Sequence, residues 1–122
     1  MNENTKVYDQ KGLRVLIMLE SQSATVTWEG HCSPEGSELQ LSTFLKNHLA
    51  FLKGRSLTVE FRPLEFMSSA FQGPILQFLK SLASNGIKTR VIYSSAMEWQ
   101  RISYRCMKVL FRAMPQIQFE CM

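Results

Sequence analysis

Leu57-Thr58-Val59-Glu60-Phe61-Arg62-Pro63-Leu64-Glu65-Phe66-Met67-Ser68-Ser69 is the stretch that sets the fold class. Leu57–Phe61 alternates apolar and polar residues and reads as a strand. Pro63 ends its pairing, because proline has no N–H to give to a ladder. Leu64–Met67 continues the apolar run, and the polar pair Ser68-Ser69 follows. Beyond it, Phe71, Ile75, Leu76, Phe78, Leu79 and Leu82 recur at helical spacing. Pro74 falls in the first turn of that helix, where a missing N–H is harmless, and Asn85-Gly86 closes it. A strand thus runs into a helix through a pair of serines.

The same alternation extends in both directions. Upstream, Leu13–Leu19 and Ala24–Glu29 read as two strands joined by a hairpin loop at Glu20–Ser23. Gly30–Gly36 breaks the pattern. A helix is expected from about Ser37 to Lys53, with Leu41, Phe44, Leu45, His48, Leu49 and Leu52 on its apolar side and Gly54 as its stop. Downstream, Thr89–Tyr93 is a strand and Ser94-Ser95 offers an N-cap. A third helix is expected to bury Trp99, Ile102, Cys106, Val109, Leu110 and Ala113. Met114-Pro115 ends it, and Ile117–Glu120 is a short last strand. The predicted fold is α/β, a mixed β-sheet covered by helices in the order β-β-α-β-α-β-α-β. Residues 1–12 are polar and expected to be loosely held, so the chain reads as a single domain over 1–122.

Composition narrows the function classes. The chain has 122 residues, 45% of them hydrophobic and 20% charged, which suits one globular domain and not a disordered chain. No apolar run approaches a membrane span. The first residues carry no basic segment followed by an apolar one, so a cytoplasmic location is expected. Cys32, Cys106 and Cys121 form no CxxC pair and have no histidines at matching spacing, which argues against a metal site and for reduced thiols. No nucleotide or nucleophile motif is present, so neither a cofactor nor catalysis is expected. His31 beside Cys32 is weak evidence for a catalytic pair, since such pairs must be adjacent in space with a third, orienting group. His48 is expected at the core margin. Glu60, if turned inward, needs Arg62 or Arg90 as a partner.

Two features remain as candidate sites. One of Ser68 and Ser69 should cap the helix that follows. A helix N-terminus accommodates negative charge, and a phosphoryl group would add about −1.5 to −2 charges there. The bland alternative is a plain N-cap worth about 1 kcal/mol. Met67 and Phe71 bracket the pair; if exposed, they would ring a charge-switchable centre with apolar surface. The second feature is a basic stripe, Arg101, Arg105, Lys108 and Arg112, on one face of the third helix. It is either a solvated outer face or a docking surface for an acidic partner. Nucleic acid is not expected, since no aromatic residues interleave with the basic ones on a strand and no helix-turn-helix is present.

The run from Leu57 to Ser69, with the apolar helix Ile75-Leu76…Phe78-Leu79 and the Asn85-Gly86 step into Thr89–Tyr93, resembles the STAS family, the anti-sigma-factor antagonists. Trp99-Gln100 and Met114-Pro115…Glu120 are similar to a bacterial STAS-like subgroup. The resemblance spans roughly residues 13–120 in element order and is specific around 57–79. It implies a mixed sheet with helices on one side. It also implies a bacterial regulator that binds a protein partner such as a serine kinase, an anti-sigma factor or a phosphatase-type regulator. Phosphorylation of the serine at position 69 would switch partners, with Ser68 a lesser candidate and Met67, Ser68, Ser69, Phe71 and Gln72 in the contact surface. Ser68 stands where the family has an aspartate, and Phe71 where it has a glycine. These departures favour an alternative, a non-phosphorylated scaffold or homodimerisation module on the same fold.

Overall fold

The computed structural model describes residues 4–32 and 38–122. Seven strands form one sheet: β1 (Thr5–Gln10), β2 (Leu13–Leu19), β3 (Ser23–Cys32), β4 (Ser56–Glu60), β5 (Leu64–Met67), β6 (Thr89–Tyr93) and β7 (Ile117–Cys121). Three helices connect them: α1 (Glu38–Leu52), α2 (Gln72–Ser84) and α3 (Glu98–Leu110). Strand order is β1-β2-β3-β4-β6-β7, with β5 paired to the far end of β3. The β1–β2 and β2–β3 pairs are antiparallel, and the pairs β3–β4, β4–β6 and β6–β7 are parallel. The mixed sheet with helical cover is thus the expected class, with two strands added to the expected order.

The first addition is β1. Residues 5–10, expected to be loose, pair with β2 along their length, from Thr5 with Met18 to Gln10 with Leu13. Backbone bonding needs no apolar sequence, and Tyr8 alone supplies the anchor: it is buried with its ring 5.5 Å from Phe44 of α1. The second addition is β5. After Arg62-Pro63 the chain shifts sideways, and Leu64–Met67 pairs with Gly30–Cys32 instead of continuing β4.

Alternation along the strands puts Val15, Ile17, Val26, Trp28, Val59, Phe61, Val91 and Tyr93 on one buried face. They form a single core with Leu41 and Leu45 of α1 and Ile75, Phe78, Leu79 and Leu82 of α2. The rings of Trp28, Phe61 and Tyr93 pack in series, 5.3 and 5.2 Å apart. The opposite face carries ion pairs: Arg14 with Glu29, Arg62 with Glu60, and Arg90 with Glu120. Glu60 therefore finds Arg62, and Arg90 is taken by Glu120. Burial raises the Glu60 carboxyl, but hydrogen bonds from the Arg62 side chain and backbone outweigh it and hold the group below its ordinary range. The stability this pair contributes is present above the unfolded carboxylate pKa and is lost as pH falls through the folded one.

Helix boundaries shift modestly. The expected start of α1 near Ser37 lies outside the described residues. At α3, Ser94 and Ser95 do not cap: the N-cap is Met97 with no side-chain bond, and the Ser94 hydroxyl instead accepts from the Ala96 N–H. The larger correction concerns which face of α3 is buried. Its buried residues are Gln100 and Met107, followed by Phe111, whereas Ile102, Cys106, Val109 and Leu110 are exposed. Periodicity shows that a helix has two faces. It does not show which one the sheet takes.

Gly30 sits at φ +89°, where β3 crosses the β1–β2 turn, and a Cβ there would run into the Gly12 carbonyl. Gly30→Ala is expected to lower stability by about 2 kcal/mol or more. Urea denaturation checks this, and a midpoint equal to wild type would contradict it.

Candidate functional site

Three segments meet at the C-terminal edge of the parallel half of the sheet. They are the end of β5 with the 3-10 turn Ser69–Phe71, the first turn of α2, and the first half of α3. The join is made by one side chain. Gln100 is fully buried, and its amide nitrogen donates to the carbonyls of Phe61 (2.8 Å) and Leu64 (2.9 Å). Its amide oxygen accepts from the Ser94 N–H at 2.6 Å. The Phe61 carbonyl also accepts from the Leu64 N–H at 2.9 Å across the turn at Arg62-Pro63, and buried polar groups need such partners. Sequence reasoning passed over Gln100 as a functional position. The signal was there: Gln100, Met107 and Phe111 stand seven and four residues apart, on a single helical stripe.

The serine pair divides into a buried and an exposed member. Ser68 is 9% exposed, and its hydroxyl has no hydrogen-bond partner among the described residues. Its backbone is fully engaged, with its N–H donating to Cys32 O (2.9 Å) and its carbonyl accepting from Phe71 N–H (3.1 Å). Ser68 precedes the 3-10 turn without capping it, and α2 itself starts at Gln72 after Phe71. The expected serine cap is therefore absent, because the 3-10 turn puts three residues between Ser68 and the helix. Ser69 is exposed on that turn. Phe71 is buried in the core and presents no docking surface; it packs inward where the STAS pattern has glycine. Met67 and Gln72 are half-buried and touch, the Gln72 amide donating to the Met67 sulfur at 3.2 Å.

Met67 and Gln72 also form one wall of an apolar groove between α2 and α3. Gly73, Leu76, Trp99, Ile102, Cys106 and Leu110 line the rest of its roughly 410 Å³. Trp99 is fixed there by its indole N–H, which donates to the Glu65 carbonyl at 3.1 Å. Glu65 in turn pairs with His31 across exposed surface at 3.5 Å. The basic stripe lies beyond the groove's outer wall. Arg105 and Lys108 are exposed on α3, Arg101 is half-buried and donates to Ser95 O (2.7 Å), and Arg112 stands in the turn after the helix. The structure thus brings Met67, Ser69 and Gln72 together with the groove, and leaves Ser68 and Phe71 inside.

Among the described residues no group of three His, Cys, Asp or Glu side chains could hold a metal ion. His31 and Cys32 are sequence neighbours on β3, but His31 is exposed and Cys32 is buried, its thiol pushed up to about 12 by loss of solvent. A thiol so raised is a poor nucleophile. His48 sits half-buried against Phe44, its Nδ1 2.7 Å from the Phe44 carbonyl. No helix among the described residues is long and apolar enough to cross a membrane.

Comparison with solved structures agrees with this architecture. The chain is similar to one in the crystal structure of an uncharacterized protein of the DUF3478 family, with a SpoIIAA-like fold, from Shewanella loihica PV-4. The TM-score is 0.57 at 18% identity, over 94% of this chain and 89% of that one. The fold is SpoIIAA-like. A second match to this SpoIIAA-like fold is a chain from the crystal structure of the diguanylate cyclase SiaD in complex with its activator SiaC, from Pseudomonas aeruginosa. The TM-score is 0.63 at 16% identity, over 96% of this chain and 99% of that one. No protein-family model and no curated protein matches the sequence.

Two substitutions test the site's construction. Gln100→Leu takes their partner from the Leu64 carbonyl and the Ser94 N–H, while the Phe61 carbonyl keeps the Leu64 N–H; it is expected to cost about 2 kcal/mol, at about 1 kcal/mol for each group. Ser68→Ala removes a hydroxyl that satisfies nothing. It is expected to leave stability unchanged or raise it by up to about 1 kcal/mol, where loss of a true cap would cost about 1 kcal/mol. Chemical denaturation separates these outcomes.

Proposed function

We propose that this chain is a bacterial, cytoplasmic regulatory module that works by binding a protein partner and not by catalysis. Its contact surface is the exposed turn at Ser69 with the adjoining α2–α3 groove. Phosphorylation of Ser69 switches the contact. The observation that carries the reading is the position of Ser69, solvent-exposed between Met67 and Gln72, which both line that groove. A charge added there lies beside apolar surface that a partner must desolvate, where an unpaired charge is costly. Ser69 also stands just ahead of α2, whose N-terminal dipole favours the phosphorylated form electrostatically.

Two supports come from outside the site. The resemblance to anti-sigma-factor antagonists suggests a serine kinase, an anti-sigma factor or a phosphatase-type regulator as partner. The SiaD–SiaC complex supplies a regulator that activates an enzyme, and activation of an enzyme partner fits the present surface equally. Ser68, buried, stays the lesser phosphorylation candidate because a kinase cannot reach it without opening the turn.

A second reading is a constitutive scaffold or homodimer without phosphorylation. It is favoured by the exposed Ile102, Val109 and Leu110, which present apolar surface whatever the state of Ser69. Intact-mass measurement on protein purified from its own host separates the two. The switch predicts one phosphoryl group that disappears in Ser69→Ala. Its absence under several growth conditions supports the scaffold. With the recovered partner, Ser69→Asp is expected to weaken binding about tenfold or more, as a buried like charge does, and Ser69→Ala to preserve it. Calorimetry showing equal affinities would end the switch.

A further inference from the structure

We infer that the α2–α3 groove is built to seat an acidic amphipathic helix from a partner protein. The inference rests on the partner-binding reading above and goes further by specifying the partner's chemistry.

The face of α3 that runs from the groove to its outer rim is apolar and open: Ile102, Cys106 and Leu110 line the groove, with Ser103 and Met107 deeper in it, and Val109 stands just outside. Ile102, Val109 and Leu110 are 52%, 61% and 59% exposed, and Cys106 is exposed between them. With Trp99, these residues fall at spacings of three, four, three and one, which gathers them into one continuous ridge. The core has already taken the other face of α3 through Gln100 and Met107. Trp99 packs against the core, but the rest of the ridge stays exposed, and it continues into the groove walls at Leu76 and Met67. Thirteen residues of helix span about 20 Å, room for several turns of a partner helix presenting residues at i, i+3, i+4 and i+7.

Charge selects the occupant. The two helices that bound the groove carry one acid, Glu98, against Lys80, Arg101, Arg105 and Lys108, with Arg112 immediately after. None of these cations belongs to an ion pair among the described residues. Arg105 neighbours both Ile102 and Val109 on the helix surface, so the basic stripe borders the apolar ridge along its length. A second copy of this chain docking α3 on α3 would bring Arg105 and Lys108 against their own counterparts with only Glu98 to offset them, and like charges so placed oppose association. A helix with an apolar ridge and carboxylates on its flank meets both features at once. The sign also fits Ser69, since a phosphoryl group at the end of the groove would repel such a ligand.

The test uses two synthetic helical peptides without tryptophan. They share leucines at i, i+3, i+4 and i+7 and differ in carrying glutamates or lysines on the flanks. Trp99, in the groove wall, reports binding by fluorescence. The glutamate peptide is expected to bind at least about tenfold more tightly than the lysine peptide, with a preference that shrinks as salt rises. Ile102→Glu and Leu110→Glu, both at exposed positions, should each weaken it about tenfold while leaving the thermal midpoint in place. Arg105→Glu with Lys108→Glu should reverse the order of the two peptides. Equal binding of both peptides, binding of neither, or indifference to Ile102→Glu overturns the proposal. So does a dimer in sedimentation that Ile102→Glu dissociates, which would assign the ridge to a second copy. The two readings fail separately. If Ile102→Glu matters and Ser69→Asp does not, the groove stands without the switch. If Ser69→Asp alone weakens the natural partner, the switch stands without this groove.

Discussion

One buried amide holds the candidate site in place. Where the chain steps from β4 to β5, the Leu64 N–H closes the turn on the Phe61 carbonyl, and Gln100 adds a bond to that carbonyl and one to the carbonyl of Leu64. Gln100 supplies both hydrogens from a single amide and returns its oxygen to Ser94 at the end of β6. Pairing with β3 places β5, and that one side chain ties it to α3 and to the end of β6. An apolar residue of the same size would fill the space and take their partner from the Leu64 carbonyl and the Ser94 N–H. That is why a polar residue is found where α3 meets the core.

This arrangement inverts the usual economy of an amphipathic helix. α3 buries a glutamine and shows solvent an isoleucine, a valine and a leucine. The inversion is possible because contact with the sheet goes through few residues: Gln100 at one end, Met107 and then Phe111 at the other, with Tyr104 packing against Tyr93 between them. Tyr93 is itself deeply buried, and that burial pushes its hydroxyl up to about 12, with the hydrogen bond from Ser103 working in the other direction. The core below α3 is therefore aromatic and already full, and a broad aliphatic face has no place in it.

The class of fold was legible from residues 57–69 outward because strand alternation and helical stripes differ in period, and because Pro63, Gly54 and Gly86 fall between elements. Less legible were the elements that each bury a single side chain, Tyr8 in β1 and Leu64 in β5, and are otherwise placed by backbone pairing. β1 has little apolar sequence, and β5 reads as the tail of β4 until its pairing with β3 is seen. At the site, the location of the serine pair was readable, but the division of labour within it was not. Ser68 faces inward and Ser69 outward because a 3-10 turn intervenes before α2, and no spacing rule distinguishes that turn from a helix start. Phe71 belongs to the apolar stripe of α2, and its burial follows that stripe and not its place beside the serine pair.

β3 pairs with three strands: β2 along one edge, and β4 and β5 in succession along the other. It is ten residues long, against four or five for each of its parallel neighbours. The consequence concerns the order of assembly. The β1–β2–β3 meander closes through short loops at low entropic cost, whereas β4 and β5 can join only after the chain has looped back across α1. The local meander is thus the template on which the nonlocal half condenses.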